Sequence, residues 1–321
     1  MPRPPRLFTV GSVVVDLSLR VPHLPQRGGD VLASAARMSA GGGFNILAAA
    51  ARQGLACIFA GRHGTGPYGD QIRADFAREG IAAALPPVTA GDSGFCLVMV
   101  EPDGERSFVS SPGVEAELGA RRFDDMLLGA GDTLFASGYD LAYAELGPAI
   151  AGWAEGLRHG VRVVFDPGPL VAEIPQSVLA RALGRADVWT MNRREAALLT
   201  GTPEPEAASA RVRARLRPEA LLILRDGAAG AWVSVGSDLP PRLLPAPPVP
   251  MIDSTGAGDT HTGVLIAALA EGLGPIAAVT RANAAAALSV TRRGPATAPT
   301  RQALDAFLAE TDCNHNKREE V

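Results

Sequence analysis

The feature that most constrains this chain is a rhythm in which short apolar runs are followed by helix-like stretches. Leu7–Val15, Cys57–Ala60, Thr133–Ala136, Val161–Phe165, Val188–Met191 and Leu221–Leu224 read as buried strands. Such runs suit strands covered on both faces. Between them Asn45–Gln53, Gln71–Glu79, Glu145–His159 and Glu195–Thr200 carry helical spacing. This alternation predicts an α/β fold, a mainly parallel sheet between two layers of helices. With 321 residues, 47% of them hydrophobic, the chain can build a sizeable core, and we read 1–321 as a single domain.

Two segments depart from the rhythm. Gly94–Glu101 and Ser107–Ser111 flank Pro102-Asp-Gly-Glu105, and Asp-Gly between strand runs marks a hairpin. With strands from Asp16–Val21 and Val31–Ser39, it predicts a small β-sheet lid built from about 16–39 and 94–111. Pro240 to Pro250 reads as loop with edge strands. From Gly256 onward helices dominate, Asp259–Glu271, Ile276–Thr291 and Arg301–Glu310, and the polar 312–321 reads as a disordered tail.

Composition excludes some classes. The formal net charge of −4 provides no general attraction to nucleic acid or an anionic membrane. Cys57, Cys96 and Cys313 are odd in number and far apart, so they suggest neither a disulfide framework nor a metal site. With no signal-like start and no long apolar helix, a cytoplasmic protein is expected.

The most informative local segment is Asp253-Ser-Thr-Gly-Ala-Gly-Asp259, which opens an apolar helix. Its glycines permit a tight turn whose N–H groups share one concavity, and the helix N-terminus adds partial positive charge. The turn therefore suits an anion. Taken alone, Asp259 reads more readily as a helix cap than as a base. There is no Gly-x-x-x-x-Gly-Lys-[Ser/Thr], and Gly61-x-x-Gly64-x-Gly66 lacks dinucleotide-fingerprint spacing, so P-loop and Rossmann readings are set aside.

Other segments admit a plain and a functional reading. Asp16 ends Val10-Gly-Ser-Val-Val-Val-Asp16 as a turn residue or a hydroxyl acceptor. Gly41-Gly-Gly-Phe-Asn45 opens a helix, where Asn45 is a cap or a ligand. Asn192-Arg-Arg-Glu195 reads as a capping box. Asp166-Pro-Gly-Pro169 follows a strand at the edge where ligands bind in parallel sheets. Phe44, Phe95 and Tyr139 serve packing or stack on a ligand.

In their order along the chain these segments resemble the ribokinase (PfkB) family of sugar kinases over about residues 7 to 310. The signature heptad differs only at Ser254. The resemblance implies a ribokinase-like three-layer α/β/α fold with a β-lid. It implies ATP-dependent phosphorylation of a primary alcohol on a sugar, with Asp259 as general base and Gly256, Ala257 and Gly258 forming the anion hole. It places Asp16, Gly41, Gly42, Asn45 and Tyr139 at the acceptor. Asn192, Glu195, Arg225, Gly227, Gly230 and Asn283 go to ATP. Glu195 would organise Mg²⁺ through water, and Asp253 with Val290–Gly294 would bind K⁺ through carbonyl oxygens. A homodimer through the lid is also implied, since a β-lid leaves edges for a second subunit to cover.

Four departures stand out, of which the first three lie on the acceptor side and bear on substrate, and the fourth lies on the nucleotide side. Val14 stands where ribokinase has a polar Asn, and Ser137-Gly-Tyr139-Asp140 lies near its sugar-binding Glu. Phe44 replaces a small residue, and Arg225 a small hydroxyl residue. Ribose is thus a poor default, since a buried sugar needs its hydroxyls paired. A nucleoside kinase is the near alternative, and a catalytically silent sugar- or nucleotide-binding regulator the distant one. Arg20, Arg37 and Arg106 near the lid leave phosphosugars open as acceptors.

Overall fold

A computed structural model describes residues 3–119, 123, 126–236 and 239–319, the last eight by backbone only. The first third contains β1 (Arg6–Thr9), β2 (Val13–Arg20), β3 (Ala35–Gly42), α1 (Gly43–Arg52), β4 (Ala56–Phe59) and α2 (Pro67–Glu79). There follow β5 (Ala82–Ala83), β6 (Phe95–Val100), β7 (Arg106–Ser111), β8 (Thr133–Ser137), α3 (Gly138–Ala142) and α4 (Leu146–Gly156). Next come β9 (Arg162–Asp166), α5 (Gln176–Arg185), β10 (Val188–Asn192), α6 (Arg193–Thr200), α7 (Pro205–Arg213) and β11 (Leu221–Arg225). The chain closes with β12 (Ala231–Val235), β13 (Arg242–Leu244), α8 (Ala257–Ala270), α9 (Pro275–Ser289) and α10 (Arg301–Glu319).

The large sheet runs β13-β12-β11-β10-β9-β8-β1-β4-β5 and is parallel except where β12 pairs with β11 and β13. Successive strand residues face opposite layers, as the period-2 geometry of a strand requires. Leu7, Phe135, Val164 and Ile223 join a layer with α1, α2, α8 and α9. Phe8, Leu134, Phe165 and Leu222 join the layer of α3 to α7.

The lid is a second sheet, β3-β2-β6-β7, in which only β2 and β6 pair in parallel. Leu7–Val15 is therefore not one strand: β1 belongs to the large sheet and β2 to the lid. Gly11 and Ser12 make the break, which lets one apolar run serve two sheets. Asp16 lies inside β2, opposite Ser39 and Cys96, and does not end a strand. The expected disordered tail begins at 312, yet the backbone of α10 is helical to Glu319; residues 320 and 321 lie outside the described residues. No helix among the described residues is long and apolar enough to cross a membrane.

Candidate active site

The strand order reverses direction at β1, whose neighbours β4 and β8 lie on either side. In an open parallel sheet, ligands bind at the carboxyl edge beside such a switch point. Ser137, Asp166, Asn192 and Arg225 are the last residues of β8, β9, β10 and β11, and all line one cavity of about 330 Å³. Asp140 secures its floor, because the buried carboxylate accepts from Ser12 N at 2.7 Å and from Ser137 N and Oγ at 2.8 Å. A Cβ on Gly11 would stand 1.8 Å from that carboxylate, so the bond between strand ends requires glycine there.

Two helices bring the central pair together. Gly42 (φ 60°) precedes α1, and Gly256 (φ 71°) precedes α8. Asn45 and Asp259 are each the third residue of their helix, and Asn45 Nδ2 donates to Asp259 Oδ2 at 2.9 Å. The helices approach closely because Gly263 has no side chain: a Cβ there would lie 2.5 Å from the Ile46 carbonyl oxygen and 2.7 Å from the Ala49 Cβ. Burial pushes the Asp259 carboxyl up to about 6, against the downward pull of the Asn45 bond, and neighbouring Asp166 adds to the rise. Such a carboxylate is ionised at neutral pH and still basic enough to accept a proton. Gly256 and Gly258 line the cavity, whereas the Ala257 N–H turns back to the Ser254 carbonyl at 3.3 Å.

On the lid side, burial and the Asp259 charge push the Asp16 carboxyl up to about 7. A Cβ on Gly41 would come within 2.1 Å of that carboxylate, which explains the glycine. Gly41 itself does not line the cavity, whereas Asp16, Gly42, Asn45 and Tyr139 do. Phe44 is buried against Phe76 with ring centroids 6.1 Å apart, so it is core. Phe95 and Tyr139 face the cavity.

On the opposite side, Asn192 and Glu195 form a full capping box. Asn192 Oδ1 accepts from Glu195 N at 2.9 Å and Glu195 Oε2 from Asn192 N at 2.7 Å. Both also line the cavity, so the cap and the site are built from the same atoms. Arg225 Nη1 donates to Asp166 at 2.8 Å and to Thr262 at 2.9 Å, and its Nη2 stands 3.6 Å from Glu195. Burial works against its charge, but Asp166 and Glu195 outweigh it and raise its pKa. Burial and the Asp166 charge also raise Glu195.

Three of the nucleotide-side expectations fall outside the cavity. Gly230 passes within 2.1 Å, by its absent Cβ, of the Leu244 carbonyl oxygen, so close chain approach explains it. Gly227, at φ 57°, shapes the same turn. Asn283 is buried and donates to the Leu244 and Pro245 carbonyls at 2.9 and 3.3 Å, with Oδ1 3.2 Å from His261. Burial and Arg225 lower that histidine to about 3, so it is neutral.

Residues 5–302 match the family described as pfkB family carbohydrate kinase. The chain belongs to this family. An uncharacterised sugar kinase, YegV, of Escherichia coli is 34% identical over 304 residues, covering 93% of this chain and 92% of that one. A ribokinase of Haemophilus influenzae is 30% identical, covering 94% and 98%. The structure of a ribokinase from Giardia lamblia superposes with TM-score 0.82 at 23% identity, over 94% of this chain and 99% of that one. The ribokinase-like fold is thereby shown, and as a pfkB carbohydrate kinase the chain is an ATP-dependent sugar kinase.

For a pfkB kinase, the two cation expectations fare differently. Four carboxylates line the cavity, Asp16, Asp166, Glu195 and Asp259, with Arg225 as the only basic side chain among the described lining residues. A polyphosphate entering that surplus of negative charge needs a cation, and Mg²⁺ suits it, being shared with phosphates and retaining water. Glu195 and Asp166 face that space, but Arg225 and Asn192 already engage their oxygens, so they would hold such an ion through its waters and not by direct ligation. The Asp253 carboxylate does not fit K⁺. Its Oδ1 accepts from Thr255 N at 2.9 Å, Thr255 Oγ1 at 2.6 Å and Arg106 Nη2 at 2.6 Å, and Oδ2 accepts from Gly294 N at 3.0 Å.

Sequence reasoning missed Gly263 and Asp140 and left Asp166 as a turn residue or a ligand-positioning one. Two glycines within the helix from 257, at 258 and 263, were the available hint of a close helix contact.

Proposed function

We propose that this kinase transfers the γ-phosphoryl group of ATP to a primary hydroxyl of an uncharged sugar or sugar-like molecule, with Asp259 as general base. The observation that carries this reading is the Asn45–Asp259 bond, which holds a carboxylate of raised pKa beside the first-turn amides of α8. Amides of a helix's first turn have no partner within the helix and suit an anion. Asp259 takes the alcohol proton while Gly256 and Gly258, which line the cavity, face the phosphoryl oxygens. Mg²⁺, when bound with the nucleotide, neutralises phosphate charge. Asn45 Oδ1 is buried without a partner and suits an acceptor hydroxyl.

The acceptor's charge class follows from the lid side of the cavity, where Asp16 and Asp259 meet Val14, Phe95 and Tyr139. Arg106 is taken up by Asp253, and neither Arg20 nor Arg37 lines the cavity. On that side a phosphosugar would meet carboxylates with no basic side chain among the described lining residues to offset them, since Arg225 is engaged by Asp166 across the cavity. Phe95 and Tyr139 keep a nucleoside as the second reading, since their rings can stack on a base. The homodimer through the lid is likewise our proposal, with sedimentation as its check.

An ADP-release screen over pentoses, hexoses, phosphosugars and nucleosides tests the function. Turnover with an uncharged sugar or nucleoside and none with phosphosugars supports it. Turnover confined to phosphosugars overturns the charge class. Ligand binding without turnover by any acceptor points to a regulator instead.

A further inference from the structure

The disagreement at Asp253 has a cause in the lid. Arg106 is the first residue of β7, the edge strand that follows the Pro102–Glu105 turn. Its Nη2 donates to Asp253 Oδ1 at 2.6 Å, and its Nη1 lies 3.4 Å from Ser254 Oγ. Both partners of the pair are about four-fifths buried at their side chains, 20% and 19% exposed. Asp253 also accepts from Gly294, whose missing Cβ would sit 2.8 Å from the Arg37 guanidinium on the other lid edge, β3. Guanidinium groups from both edges of the lid thus reach the two segments that meet at Asp253.

Asp253 and Ser254 lead directly into the Gly256–Gly258 turn. Burial raises the Asp253 carboxyl, but its hydrogen bonds to Thr255 and Gly294 and the Arg106 charge hold it below the ordinary value, so it stays charged. A charged carboxylate already bonded to a guanidinium offers little to a monovalent ion, because its lone pairs are directed at N–H donors.

We propose that Arg106 is a positioning residue that latches the lid onto the anion-hole turn, and that its guanidinium takes the role of a monovalent cation at Asp253. Lid closure and ordering of the turn are then one event, and turnover does not depend on K⁺. The turnover part rests on the function proposed above; the latch does not.

Two measurements test it. Hydrogen exchange of the lid hairpin and of the 252–258 segment needs no acceptor. Exchange should rise in both segments together in Arg106→Ala, and largely recover in Arg106→Lys. Unchanged exchange in Arg106→Ala overturns the latch, whatever the substrate is. With an acceptor in hand, wild-type rates in K⁺ and in tetramethylammonium should be equal. Arg106→Ala should lose kcat more than it raises the acceptor KM, by roughly tenfold to a hundredfold if the turn is misplaced, and should gain activation by K⁺. Several-fold K⁺ activation of the wild type overturns the cation role.

Discussion

Two glycine turns open the helices that meet under the cavity, and they resemble each other more than their roles suggest. Gly42 before α1 and Gly256 before α8 both adopt positive φ, and each helix carries its polar residue at the third position. Their surroundings differ in sign. The 41–43 turn is pressed against a carboxylate, with the Asp16 oxygen 2.1 Å from where a Gly41 Cβ would stand. The 256–258 turn has the Arg225 guanidinium 3.5 Å from a Cβ on Gly258. Two positive-φ glycines of different ψ, −129° at Gly42 and 8° at Gly256, therefore open helices whose first turns meet a carboxylate on one side and a guanidinium on the other. Their meeting point is the Asn45–Asp259 hydrogen bond.

The largest effect is expected at that point. Asp259→Asn should reduce turnover by about a hundredfold or more, the scale of a general base, while ligand binding measured by calorimetry stays nearly intact. Near-normal turnover would leave Asp259 a structural hydrogen-bond partner of Asn45 and nothing more.

The opposite substitution sharpens the asymmetry. In the wild type, kcat should decline as pH falls through about 6, because the base must be ionised. The Asn45 bond pulls that value down, so Asn45→Ala should move the acid limb to higher pH and cost about tenfold at neutral pH. A pH profile with an unmoved limb would show that the bond does not tune Asp259.

Gly263→Ala tests the helix contact that lets the two turns meet. Its methyl group would intrude on Ile46 and Ala49, with a stability loss of about 1–3 kcal/mol in denaturant titrations. Turnover should fall with it, since α1 would carry Asn45 away from Asp259. Unchanged stability and turnover would show that the contact has slack.

The smallest effect concerns Asp16. Its folded-state value near 7 lies above the ordinary 3.8, so the protonated form is favoured in the folded protein. Stability from this source is fully present below the ordinary value and lost as pH rises through 7. Asp16→Asn should therefore melt a few degrees above the wild type at about pH 8, the gap closing toward about pH 4. The acceptor KM should rise as well, because the amide accepts fewer hydrogen bonds. A melting difference independent of pH would remove the charge explanation.

Local pattern made much of this molecule legible. The strand runs, the Asp-Gly hairpin, the capping box at Asn192 and Glu195, and the glycine turn before Asp259 each obey short-range rules of backbone freedom, capping and hydrophobic period. Order along the chain then made the family readable. Spatial facts were hidden. The run from Leu7 to Val15 reads as one strand because apolar residues look alike in both sheets, and only the break at Gly11 and Ser12 divides it. Asn283 goes to ATP by the family resemblance, and nothing local in the sequence shows that its amide donates to the Leu244 and Pro245 carbonyls.

What the sequence determined by itself was the set of local devices: which segments are strands, where helices begin, and which turns leave amides free. Only the tertiary structure decided their pairing. Asn45 and Asp259 are 214 positions apart, and Arg106 and Asp253 are 147 apart. No local rule links residues so distant, because their contact depends on how closely packed helices and sheets approach, and at Gly263 that distance is set by the absence of one side chain.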